Sequence, residues 1–325
     1  MWMSFLAFAA HAAPAAPEVV EVDDAVDWLG PMPEVGPASA FLPPTPTTAT
    51  TLGGRPVWVV EDHVLPIVSV VLTVAGGAST DPAGKAGRAT LADQMMRQGA
   101  GDRDATAFAA LVEREAIELD VSTGREGSTI SFTCNRDKLD LALDLVADMI
   151  LRPTLLEEDL VRERGLEVAG LEQADNEPGS VASRLAWAAW WGADHPYGHP
   201  TSGLADTLGT VSRKDVKAYH KAYWTPTTLT VTAAGDLTAA DLASRIDTRL
   251  AGWKARPAKL PTITEAPKQA RTILAADRPG SAQTTLFLMM RGEGLGAGAA
   301  LDLGSVVLGG TFTSRLNAKL REEKG

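Results

Sequence analysis

Thr90, Asp93 and Gln94 fall at i, i+3 and i+4 within Gly87–Gly101 (GRATLADQMMRQGAG). Glycine at both ends marks a helix that is entered through a turn and closed by Gly99 and Gly101. On such a helix the three side chains share a face, i and i+4 stacked and i+3 beside them. Two histidines and a glutamate in those places would hold Zn²⁺ and a general base. This chain has the spacing without the ligands. Thr and Gln are neutral, weak donors, and one aspartate does not hold zinc against water. Asp is also a methylene shorter than Glu, which misplaces a base by more than catalysis tolerates.

Other candidates are weaker. His195 and His199 are four apart, but Pro196 and Gly198 between them forbid a helix there. His63 and His220 have no partner at ligand spacing and read as polar surface or hydrogen-bonded core positions. Gly292–Gly298 follows a strand-like run, yet its glycines alternate instead of following a dinucleotide fingerprint, so it reads as a mobile loop. The acidic stripe Asp137, Asp140, Asp144 and Asp148 reads as a solvated helix face.

The elements that position these residues are legible in outline. Pro56–Val60 and Ile67–Ala75 are β-branched, apolar runs split by Asp62-His63 and Pro66, and read as strands. Asp104 caps a helix through Glu115. Ile117, Leu119 and Val121, then Ile130, Phe132 and Cys134, alternate with polar residues on either side of Thr123–Gly127, the pattern of a hairpin with one buried face. Asp137–Leu151 has an apolar stripe of Leu139, Leu143, Val146 and Ile150. A charged helix over Leu155–Gln173 follows, then one carrying Trp187, Trp190 and Trp191, whose rings suit core or domain-interface packing. Leu229–Ala234 reads as a strand, Thr238–Leu250 as a capped helix and Thr284–Met290 as a further strand.

Composition bounds the rest. The 325 residues suffice for one large or two ordinary domains. A formal charge of −11 argues against nucleic acid and against anionic membrane surfaces. The single cysteine, Cys134, rules out an internal disulfide and any multi-cysteine zinc site. Phe5-Leu-Ala-Phe-Ala-Ala10 followed by Ala12 reads as a short export signal over residues 1–12, the other reading being an Ala/Pro-rich tail. Export implies a periplasmic or envelope location; without a signal the chain would be cytoplasmic. No later run is long enough to span a bilayer. Residues 13–48 and 253–269 are Pro-rich linkers by composition. They separate a first domain over 49–252 from a second over 270–325.

Set side by side, several segments resemble the M16 metallopeptidases, the pitrilysin, insulinase and mitochondrial-processing-peptidase family. Gly87-Arg-Ala-Thr90-Leu-Ala-Asp93-Gln94 resembles the family's H-x-x-E-H segment, with Thr90 and Gln94 at the histidines and Asp93 at the catalytic Glu. Glu163-Arg-Gly-Leu-Glu-Val-Ala-Gly170 resembles the helix that supplies the third ligand, and puts Gly170 there, 76 positions beyond Gln94 (170 − 94). His195-Pro-Tyr-Gly198-x-Pro200, Tyr223-Trp-Thr-Pro226 and Gly235-Asp236 are similar to further family segments. Leu308-Gly-Gly-Thr-Phe-Thr-Ser314-Arg315-Leu316, then Leu320-Arg321-Glu-Glu-Lys-Gly325, resembles L-G-G-x-x-x-S-R-L…L-R-E-E-K-G-L-A-Y.

The resemblance implies an α+β, LuxS/MPP-like metallohydrolase fold: a mixed, largely antiparallel sheet packed with helices, one full domain and the start of a second. It implies no metal on this chain, with Thr90, Asp93, Gln94 and Gly170 as degenerate zinc positions. Arg321, helped by Arg315, is the implied substrate contact, since the family's Arg and the Tyr seven residues on bind substrate backbone and stabilise the oxyanion. The Tyr position lies beyond Gly325, so the sequence reads as a fragment. The implied function is that of a non-catalytic subunit of a zinc endopeptidase. It would be inactive alone and paired in a heterodimer with a zinc-bearing M16 subunit that acts on peptides. The alternative is a catalytically dead M16 scaffold serving as a structural or binding protein of an envelope complex.

Overall fold

A computed structural model describes residues 36, 42–51, 53–266, 272–281, 283–291 and 298–324. The export-signal reading and nearly all of the first linker reading lie outside the described residues. So does the glycine-rich loop, except for Gly298, which opens a helix. Residues 42–44, in the N-terminal unit that ends at Pro44, are exposed chain without regular structure.

The unit from Thr45 onward is built on strands β1 (Thr47–Thr50), β2 (Pro56–Glu61) and β3 (Ile67–Ala75). Helix α1 (Arg88–Met95) follows, then a two-residue ribbon of β4 (Gly99–Ala100) and β5 (Arg103–Asp104). Next come α2 (Ala105–Arg114), the hairpin β6 (Glu118–Thr123) and β7 (Gly127–Asn135), α3 (Leu139–Leu151), α4 (Glu157–Ala174) and α5 (Pro178–Trp191). The chain continues through α6 (Ala205–Thr210), α7 (Arg213–Tyr223), β8 (Thr230–Gly235) and α8 (Ala239–Arg249). Far along the sequence lie α9 (Gly298–Ser305), prolonged by a π-turn over Val306–Gly310, and α10 (Arg315–Asn317), prolonged over Ala318–Glu322.

Six strands form one sheet in the order β1-β2-β8-β3-β7-β6. Only β2 and β8 run parallel, so the sheet is mixed and largely antiparallel. β8 returns from more than 150 residues away to lie between β2 and β3, so these two sequential strands do not pair. The period-2 pattern of β3 sends Val68, Val70, Leu72 and Val74 into the core, and Ser69 and Thr73 to the other face. There Ser69 and Thr73 meet Thr133 and Thr129 of β7 through their hydroxyls, at 2.9 and 3.3 Å. The core face is closed by Ala89, Leu91, Ala92 and Met95 of α1, Leu139, Leu143, Val146 and Ile150 of α3, and Leu242 and Ile246 of α8.

Three readings need correction. β1 begins at Thr47, inside the segment read as linker, because its backbone finds a partner in β2. The acidic stripe of α3 is ion-paired rather than simply solvated. Arg249 donates to Asp140 and Asp144 at 2.7 and 2.6 Å, Arg245 reaches Asp140 at 2.5 Å, and Arg152 reaches Asp148 at 2.7 Å. Thr284–Met290 is not a strand: a strand needs a hydrogen-bonding neighbour, and none pairs with it among the described residues, so Leu286, Leu288 and Met290 stay exposed. On α5 the half-buried Trp187 lies under Arg125, and the half-buried Trp191 stacks on His195. Among the described residues no helix is long and apolar enough to cross a membrane.

Candidate functional site

The site the sequence points to lies on α1, and glycine sets how the chain enters it. Gly77 has φ 73°, and a Cβ there would stand 2.4 Å from the Gly124 carbonyl. Gly87, φ 92°, starts α1 where a Cβ would meet Leu208 at 2.6 Å and the Ser202 carbonyl at 2.7 Å. With glycine at that position, the helix needs a capping group from elsewhere. Asp81 supplies it: its carboxylate accepts from the Gly87 and Ala89 amides at 2.8 and 2.9 Å and from Arg88 Nε at 3.3 Å. Burial pushes the Asp81 carboxyl up to about 7, against the pull of Arg88 and the two amides. Arg88 also donates to the Thr80 carbonyl at 2.7 Å and lies over the rings of Tyr219 and Tyr223.

Asp93 faces the interior. It is fully buried, and three protein donors take its carboxylate: Thr123 Oγ1 at 2.6 Å, Ser128 Oγ at 2.5 Å and Trp224 Nε1 at 2.8 Å. Ser128 is in turn 2.7 Å from the Tyr219 hydroxyl, which accepts from the Gly77 amide at 2.9 Å. The network ties α1 to both strands of the β6–β7 hairpin, to α7 and to the glycine turn after β3. Burial pushes the Asp93 carboxyl up to about 6, although all three hydrogen bonds favour the anion. Burial likewise holds the Tyr219 hydroxyl well above its ordinary range.

Of the neighbouring positions, Thr90 is also committed elsewhere. The Thr90 hydroxyl donates to the Thr201 carbonyl at 2.7 Å, in the loop that follows α5. That loop is held from the other side by Arg125 at the tip of the β6–β7 hairpin. Arg125 donates to the Tyr197 and His199 carbonyls at 3.1 and 3.0 Å and lies 4.4 Å over the Trp187 ring. His195 stacks on Trp191 at 4.6 Å between ring centres and accepts from the Tyr197 amide, so His195 and His199 form no ligand pair. Gln94 is half-buried and makes no side-chain hydrogen bond among the described residues. Gly170 lies on the exposed face of α4 with open space where a side chain would be. α4 does pack on α1, and Glu163 and Glu167 on α4 are half-buried; burial and Glu163 raise the Glu167 carboxyl.

These residues do not fit a catalytic zinc. A ligand or base needs a free lone pair directed at the metal or the water. The Asp93 oxygens are bonded to protein donors in the core, Thr90 is engaged, and Gly170 has no donor. The other sequence-derived candidates lie apart. Arg321 is exposed, 4.7 Å over the Phe312 ring and 4.0 Å from Glu322. Arg315 borders a cleft among Ala300, Leu303, Gly304, Val307 and Leu308. No hydrogen bond or ion pair among the described residues joins either arginine to Thr90, Asp93 or Gln94. Cys134 is buried in β7, where burial pushes its thiol up to about 11, as suits an inert core residue. Sequence reasoning missed Asp81, Ser128, Tyr219 and Trp224. Trp224 stood inside a segment singled out for resemblance, and only proximity in space reveals what it and Tyr219 bind.

An α+β sheet-and-helix domain with a degenerate H-x-x-E-H helix defines an M16-type scaffold without its metal donors. Two family models match: Insulinase (Peptidase family M16) over residues 57–201 and Peptidase M16 inactive domain over residues 210–325. The chain belongs to the M16 peptidase family. It is similar to an uncharacterized zinc protease of Mycobacterium bovis, 27% identical over 301 residues, covering 90% of this chain and 68% of the relative. It is similar as well to a non-peptidase homolog, YmxG, of Helicobacter pylori, 24% identical over 83% of this chain and 62% of the relative. The crystal structure of a peptidase M16 inactive domain from Pseudomonas fluorescens superposes with a TM-score of 0.72 at 25% identity, over 86% of this chain and 68% of that one. The chain thus spans about two thirds of these relatives.

Proposed function

We propose that this chain is a non-catalytic M16 subunit, exported and paired with a zinc-bearing M16 subunit whose peptide substrate it helps to hold. The observation that carries this reading is the use made of Asp93. The position that would serve as base is spent on three hydrogen bonds inside the core. Catalysis then falls to a partner, while the Ser314-Arg315 to Arg321 segment, with Arg321 exposed, stays available for substrate. The likeness to a protein described as a non-peptidase homolog and to an M16 inactive domain supports it. Zinc would be held by the partner alone. The use of Asp93 as a tether also suits a purely structural or binding role in an envelope complex.

Co-expression with a zinc-bearing M16 protein from the same source tests the choice. The expected result is a stable heterodimer that cleaves peptides, with cleavage lowered on the order of 100-fold by Arg321→Ala, the range seen when an oxyanion donor is removed. Unchanged cleavage in the assembled Arg321→Ala complex overturns the substrate-contact role. No complex at all leaves the structural reading.

A further inference from the structure

Residues 253–264, a linker by composition, are fastened to the first domain instead of running free of it. Trp253 donates its indole N–H to the Trp224 carbonyl at 3.2 Å. The Arg256 amide donates to Thr225 Oγ1 at 3.0 Å, and the Arg256 carbonyl accepts from Thr225 Oγ1 and Thr227 Oγ1 at 2.9 and 2.7 Å. The Tyr223 hydroxyl donates to the Lys259 carbonyl at 3.2 Å, and His195 Nε2 stands 3.3 Å from the Thr264 carbonyl. Between these anchors Ala258 packs against the core. Apart from His195, the anchoring residues stand at the end of α7 or just after it.

A histidine lies towards each end of this strap, and both are held neutral by what they touch. His195 Nδ1 accepts from the Tyr197 amide at 3.0 Å, so its ring proton is on Nε2, toward Thr264. A second proton, on Nδ1, would face that amide N–H, and the ring would have to leave its place. His220, one turn before Trp224 on α7, donates to the Ile150 carbonyl at the end of α3, and its Nε2 is buried without a partner. A proton there would put a charge in the interior beside Arg256 of the strap. Burial, opposed by the Ile150 carbonyl and helped by Arg256, pushes the His220 imidazole down to about 4. Surrounding charges do not offset this. Lys217 and Lys221 are cations on the same helix, and Asp148, in the last turn of α3, is paired with Arg152. Near His195, Glu126 accepts from the Tyr197 hydroxyl beside Arg125, Glu265 pairs with Arg291 at 3.1 Å, and Asp194 is exposed.

We propose that residues 253–264 form an acid-released strap, closed while His195 and His220 are neutral and freed when they take up protons. Release gives both rings to water, where an imidazole protonates in its ordinary range, so lowering the pH favours the released form. Residues beyond 264 hang from the strap, and its release lengthens their tether to α7. No partner subunit enters this device, so it goes beyond the proposed function and stands or falls apart from it.

The test is amide hydrogen exchange of the full chain, read by mass spectrometry between pH 7.5 and pH 5 and corrected for intrinsic rates. With the His220 imidazole at 6.5 in the released strap and at about 4 in the closed one, protection of residues 253–264 should fall about 30-fold over that range. β3 and β7 should keep theirs. His220→Asn keeps a donor for the Ile150 carbonyl and does not titrate, and should remove most of the fall. His195→Asn keeps an acceptor for the Tyr197 amide and should remove a smaller share, and the double variant should show no fall. His63→Asn, in the turn where His63 meets Asp236, should leave the response unchanged. Protection of β3 and β7 also shows whether each variant is folded, and the wild-type profile decides alone where one is not. Flat protection of residues 253–264 in wild type, a fall that survives in the double variant, or a fall shared equally by β3 and β7, which is global unfolding, overturns the inference.

Discussion

Asp93→Asn asks whether the buried carboxylate strains the fold. The side chain is fully buried, and its carboxyl is raised from an ordinary 3.8 to about 6, with burial outweighing the donors Ser128, Thr123 and Trp224. A folded-state value above the unfolded one means the native protein holds the proton more tightly. The stabilisation is therefore complete below about pH 4 and is lost as pH rises through 6. A rise of that size corresponds to about 3 kcal/mol. Asparagine matches the size and cannot titrate. Its amide turns one acceptor into a donor facing other donors, a pH-independent cost of about 1–3 kcal/mol. The assay is urea unfolding of both proteins from pH 4 to pH 7.5. The difference cancels other groups, such as Asp81, raised like Asp93, and Asp215, depressed to about 2 with Lys85 and Ser212 as its partners. Wild type should lose about 3 kcal/mol relative to Asp93→Asn over that range. Parallel curves would refute the argument, because the three hydrogen bonds would then match the cost of burial.

Two further outcomes follow from the glycines and the hairpin tip. Gly77→Ala should destabilise by more than the roughly 1–2 kcal/mol of a left-handed residue, since its Cβ would collide with the Gly124 carbonyl, whereas Gly170→Ala, with open space around it on α4, should stabilise by up to about 1 kcal/mol. Thermal unfolding of the pair distinguishes them by sign. Arg125→Ala should cost about 2 kcal/mol through lost carbonyl bonds and the contact with Trp187, and should make residues 192–203 the first site of limited proteolysis.

Much of the domain was legible because its signals are local. Val68, Val70, Leu72 and Val74 announce a strand by period, Leu139 to Ile150 a helix, and Asp104 and Thr238 their caps, which accept from Ala107 and Asp241. What was not legible depends on partners remote in sequence. The place of β8 between β2 and β3 joins Val57 to Val231. Asp140 and Asp144 of α3 find arginines on α8, 105 residues on. Thr284–Met290 has strand-like residues and no neighbour to bond among the described residues, and composition carries no information about the neighbour.

The same limit governs the site. Spacing says that Thr90, Asp93 and Gln94 share a sector of α1, but not which member points into the core, because a sector about a hundred degrees wide has an inner and an outer edge. Asp93 lies at the inner edge, and that changes what its presence means. A general base must keep a lone pair free for a water or a substrate, whereas a tether must have its lone pairs taken. A carboxylate that is fully buried, with three of its acceptor positions held by Thr123, Ser128 and Trp224, meets no solvent water to activate. Lengthening it to the Glu of an active site would push a methylene into a fully buried, close-packed position at a cost of about 1–3 kcal/mol. Restoring histidines at positions 90 and 94 would leave that conflict in place. The segment is thus held where it is by the fold, with Asp93 as its buried tether.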